Sequence, residues 1–78
     1  MLREFEILFT EENKLEGLGI ESEPEYYTDK GVIDTARIES FYPLVKKYNG
    51  RNTMNIILYS GDVFTIIMSY SEFKREYL

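Results

Sequence analysis

Seventy-eight residues make one small domain over 1–78, in which folding removes only about 60% of the unfolded chain's surface from water. With no cysteine and no histidine, disulfides, thiolate or imidazole zinc sites, and Ser-His or Cys-His nucleophile pairs are excluded. The formal charge of −5 is uneven: residues 1–39 hold eleven acids against four bases and residues 40–78 three against five, a balance that argues against direct nucleic-acid binding, whose affinity comes from Lys and Arg.

Along the chain, Phe5, Ile7 and Phe9 alternate with Glu4, Glu6 and Thr10, Leu8 being the exception. This period of two predicts a half-buried first strand. The stretch from Glu11 to Glu25 reads as a loop or long connection, because Gly17-Leu18-Gly19 propagates neither helix nor strand well. Its acids Glu11, Glu12, Glu16, Glu21, Glu23 and Glu25, with Asp29 beyond, form a candidate acidic surface. Tyr26-Tyr27-Thr28 and Val32-Ile33 flank Asp29-Lys30-Gly31, which predicts a hairpin closed by a three-residue turn. From Ala36 the pattern alternates again, with Ala36, Ile38, Ser40 and Tyr42 opposite Arg37, Glu39 and Phe41. Pro43 lacks a ladder donor and is expected to end that strand. Lys46 to Asn52 then reads as an exposed basic loop around an Asn49-Gly50 turn.

Two runs rich in β-branched and aromatic residues, Thr53 to Tyr59 and Asp62 to Met68, are joined through Ser60-Gly61 and predict a tight hairpin. Ser69-Tyr70-Ser71-Glu72 supplies a capping box, so a short helix to Leu78 follows. On it Tyr70, Phe73 and Tyr77 form one apolar stripe with Leu78 alongside, while Lys74 and Arg75 in the last turn suit the helix dipole. The expected fold is mainly β (α+β): an antiparallel sheet of about five strands with a short C-terminal α-helix. Both faces of the last hairpin are apolar, whereas a half-exposed sheet shows polar residues on one face. One short helix covers one face only. Either the sheet curls into a partly open barrel or the surplus surface meets a protein partner or a second copy, with Ile57, Tyr59, Phe64 and Ile66 as candidate self-association residues in a homo-oligomer.

The pairs Asp29 with Asp34 and Glu72 with Asp62 have no recognised catalytic or calcium-loop spacing, and turn and capping roles explain them better. No catalytic residue, metal, cofactor or small-molecule substrate is expected. Tyrosine and arginine are enriched at binding hot spots, which makes Tyr26, Tyr27, Tyr42, Lys46, Lys47, Tyr48 and Arg51 a candidate partner surface. The start lacks an apolar leader and no run reaches 18 apolar residues, so a cytoplasmic protein without membrane contact is expected.

Through Ile56, Leu58, Gly61, Phe64, Ile66, Ser69, Glu72 and Phe73, with Ile38-Glu39-Ser40-Phe41 upstream, the second half resembles flagellar-operon proteins of the FlbD (swarming motility) type. Small phage and mobile-element proteins look similar at the same glycine hairpin and serine-capped helix. Residues 1–33 have no counterpart in that family, and a longer loop from Pro43 to Asn52 replaces its Pro-Asp. Size, the two-faced hairpin and the missing chemistry point to a non-catalytic interaction protein of phage or mobile-element type, docking to itself or to a host protein. In a sharper version its acidic surface inhibits a host nucleic-acid-binding enzyme, as anti-CRISPR or anti-restriction proteins do. The resemblance implies the alternative, a structural or regulatory accessory of a flagellar or secretion apparatus.

Overall fold

A computed structural model describes residues 1–11, 14–15, 20–21 and 25–78. Strands β1 (Leu2–Glu11), β2 (Lys14–Leu15), β3 (Ile20–Glu21) and β4 (Glu25–Asp34) come first. A 3-10 turn at Thr35–Arg37 leads to β5 (Ile38–Tyr48), β6 (Arg51–Leu58), β7 (Val63–Ile66) and helix α1 (Tyr70–Tyr77). Five strands form one unclosed antiparallel sheet in the order β4-β1-β7-β6-β5, and β2 pairs separately with β3. The expected fold class is the observed one.

Alternation decides which residues are buried. Phe5 and Ile7 on β1, Ile33 on β4, Met54 and Ile56 on β6 and Ile66 on β7 share one face with Phe73 of the helix. Phe73 sits between Phe5, at 6.3 Å between ring centres, and Phe41 of β5, at 4.8 Å, so a single side chain joins both halves of the sheet. Burying a phenylalanine contributes roughly 1.5–3 kcal/mol. The helix starts where predicted, with the Ser69 hydroxyl accepting from the Glu72 amide at 3.1 Å. Tyr70 and Tyr77 flank Phe73 against the core, but Leu78 is 80% exposed and lies outside the stripe. The stripe ends at Tyr77 because Leu78 already caps the helix.

Both predicted tight turns form, for local reasons. Asn49 and Gly50 have φ of 49° and 75°, the paired positive values of a two-residue hairpin, and they join β5 to β6 directly rather than through a loop. At Tyr59–Asp62, Gly61 takes φ 92° and donates to the Leu58 carbonyl at 2.9 Å.

Other expectations are corrected. The predicted hairpin at Asp29-Lys30-Gly31 is one continuous strand, β4, paired without interruption from Leu2 opposite Asp34 to Glu11 opposite Glu25. Gly31 serves packing rather than turning, since a Cβ there would lie 2.5 Å from Ile7 Cδ1. Strand β5 runs through Pro43 to Tyr48, because an edge strand pairs on one side only and tolerates a missing donor on the other. Its predicted alternation is broken by a register shift between Ile38 and Ser40, which lets Ile38 and Phe41 both pack on the core. Within the stretch from Glu11 to Glu25 expected as loop, β2 and β3 form a short ladder, while Gly17-Leu18-Gly19 lie outside the described residues.

Candidate functional site

The face of the sheet away from the helix carries Leu8, Thr65, Asn55 and Tyr42 in one row, because these residues are cross-strand partners from β1 to β5. Asn55 ties the row together, donating to the Tyr42 hydroxyl at 3.0 Å and accepting from Thr65 Oγ1 at 2.6 Å. A second irregularity in β5, between Leu44 and Tyr48, takes Val45 to Lys47 out of register before Tyr48 pairs with Arg51. The β5–β6 hairpin tip then leans across this face. Arg51 reaches Glu6 of β1 in a bidentate pair of 2.7 and 3.0 Å, the Tyr48 hydroxyl donates to the Tyr26 carbonyl at 3.4 Å, and Lys46 Nζ lies 5.5 Å above the Tyr26 ring.

Beneath that tip is an open groove of about 190 Å³ lined by Leu8, Tyr26, Leu44, Lys46, Lys47, Tyr48, Thr53 and Thr65. Thr53 is 4% exposed and is held by donating to the Lys46 carbonyl at 2.6 Å, which fixes the groove floor to its basic rim. The Arg51 guanidinium beside Glu6 holds that carboxyl below its usual range, and Glu6 in turn raises Arg51. Among the described residues, the two salt bridges are Arg51 with Glu6 and the N-terminal ammonium with Asp34. Lys46 and Lys47 are in neither.

The expected partner surface is therefore divided by the fold. Tyr26, Lys46, Lys47 and Tyr48 come together around the groove, Tyr42 lies on the same face, and Arg51 is engaged by Glu6. Tyr27, next to Tyr26 on a strand, points to the opposite face and stacks on Phe9 with ring centres 5.4 Å apart. Of the expected acidic surface, Glu25 and Asp29 are exposed on β4, Glu11 ends β1 and Glu21 ends β3, whereas Glu12, Glu16 and Glu23 lie outside the described residues.

Of the expected self-association residues, Ile66 is 1% exposed and belongs to the core, and Phe64 is half-buried and packs against it. Ile57 is half-buried and Tyr59 is 70% exposed. Asp29 and Asp34 fall on opposite faces of β4 by alternation, each held locally: Asp29 accepts from the Lys30 amide and Asp34 from Ala36 and the N-terminus. Asp62 likewise accepts from the Ser60 hydroxyl.

Leu8, Leu44, Thr53 and Thr65 are groove residues that sequence patterning does not single out. Leu8 carried a signal, as an apolar residue between Glu6 and Thr10 on the polar side of the first strand. Compared with known proteins, the chain matches no family model, no curated protein and no solved structure. None of these comparisons bears on the resemblance to FlbD-type or phage proteins.

Proposed function

We propose that this protein is a non-catalytic interaction module that docks another protein through the face of its sheet opposite the helix. The observation that carries this reading is the groove under the β5–β6 tip, where two leucines and two tyrosines meet two lysines outside the described salt bridges. Aromatic and apolar surface ringed by charge is what partner hot spots use. A groove of about 190 Å³ is small, below the several hundred Å³ of ordinary small-molecule pockets. It suits one or two side chains of a partner.

The reading is tested with immobilised wild-type protein and with Leu44→Asp, which places a charge in the groove away from the helix-covered core. Circular dichroism checks that the variant keeps its fold. A protein retained from lysate by the wild type and lost from the folded variant supports the reading; equal retention by both defeats it.

A further inference from the structure

In an antiparallel ladder, hydrogen-bonded and non-bonded pairs alternate, so one bond fixes which main-chain groups face outward. The Thr35 amide donates to the Met1 carbonyl at 2.9 Å, next to the Leu2–Asp34 pair. Odd-numbered residues of β4 are thus bonded to β1, and Tyr26, Thr28, Lys30 and Val32 turn their amides and carbonyls to the outer edge. Two contacts agree. The Tyr26 carbonyl accepts from Tyr48, and the Lys30 amide donates to its neighbour's Asp29 carboxylate at 2.8 Å, neither being taken by β1.

The same reasoning applies to β5, where the Tyr59 amide donates to the Arg37 carbonyl and the register then shifts by one residue. There Phe41 and Pro43 turn their main-chain groups outward, so the missing amide of Pro43 falls on the open edge. Two irregularities further bend that strand. Proline and bulges are devices that block strand addition. Strand β4 has neither, and no described strand pairs with its outer edge.

We infer that the outer edge of β4, from Thr28 to Val32, accepts an antiparallel extended segment of a partner protein bearing a carboxylate opposite Lys30 and a base opposite Asp29. This rests on the docking reading above and adds where and how the partner is held. Charge selects the occupant. A second copy using the same three residues about a two-fold axis would set Lys30 against Lys30, and sliding it toward Tyr26 meets a carbonyl that already accepts from Tyr48. Like charges directly opposite are unfavourable. A partner base draws the Asp29 carboxylate off the Lys30 amide, which then joins the new ladder. Val32, 64% exposed, adds an apolar contact for a residue two positions before the partner's acid.

The probe is the blocked peptide Gly-Val-Ser-Glu-Lys-Thr-Gly, titrated into the full chain and followed by amide NMR. Expected are shifts at Thr28, Lys30 and Val32, affinity roughly fivefold weaker when the peptide's glutamate is replaced by lysine, recovery of that loss in Lys30→Glu, and no binding when the glutamate amide is methylated. Shifts confined to Leu8, Leu44 and Thr65, or none at all, overturn the edge site while the groove reading is decided separately by Leu44→Asp. Concentration-dependent shifts at β4 without peptide also overturn it, in favour of a second copy.

Discussion

The two outermost strands have nearly equal length but opposite character. Strand β4 keeps one register over all ten of its pairs with β1, while β5 breaks register twice and carries Pro43 between the breaks. Both are supported by the same core, since Ile33 comes from the first and Ile38 and Phe41 from the side of the second. Regularity is therefore independent of burial here. The broken strand is the one whose tip folds over the sheet and builds the groove, and the regular strand is the one left with main-chain groups facing outward. Bulges bend a strand and raise its twist, so one feature both closes an edge and shapes a site.

Substitutions that make β4 irregular or β5 regular test this contrast. The largest effect is expected for Gly31→Val. Any Cβ meets Ile7 Cδ1, a 4% exposed side chain, and two further branch atoms cannot be accommodated by turning one methyl. Overpacking of this kind costs about 1–3 kcal/mol, partly offset by valine's preference for strands. A net loss of about 1 kcal/mol or more is expected in urea unfolding, with faster amide exchange on β4 than on β5. Unchanged stability would mean that Gly31 is not a packing residue.

Acidification should loosen both edges, each through one carboxylate. The N-terminal ammonium, and then the Ala36 amide, hold Asp34 below its ordinary pKa at the end of β4; Arg51 does the same for Glu6 under the β5–β6 tip. A carboxyl depressed by folding stabilises the native state above its unfolded pKa, and that contribution disappears as pH falls through the folded one. The thermal midpoint is expected to fall below the usual carboxylate range. In Asp34→Asn the fall should be shallower, with the remaining change read at Glu6 and the hairpin tip. Both carboxylates are exposed, so the effect is modest.

The smallest change in stability is expected for Pro43→Thr, within about 0.5 kcal/mol, because the restored amide faces outward and joins no existing ladder. What changes is association. Sedimentation at increasing concentration is expected to show more self-pairing than the wild type, as β5 regains an open donor. No increase would indicate that the bulges alone close that edge.

The elements that could be read directly are those whose cause lies within a few residues. Asn49, Gly50 and Gly61 take positive φ, Ser69 finds its amide three residues on, and Phe5, Ile7 and Phe9 alternate among themselves. The misread elements have distant causes. Asp29-Lys30-Gly31 looks like a turn until Ile7 arrives from the neighbouring strand, and Pro43 looks like a terminator until β5 is found at an edge. The groove joins Leu8 to Leu44 and Tyr26 to Tyr48, pairs that no local pattern brings together.

Sequence alone settled the class of fold, the two glycine-assisted turns, the capped helix with its Phe73 stripe, and the absence of cysteine and histidine chemistry. Those follow from torsional preference and short periodicity. Tertiary structure decided which strands became edges, where β5 bends, which tyrosines share a face, and that Ile66 enters the core with Phe64 packed against it. The reason is physical: strand order and register are set by side chains packing across the sheet between residues far apart in the chain, and a one-residue shift moves every following side chain to the other face.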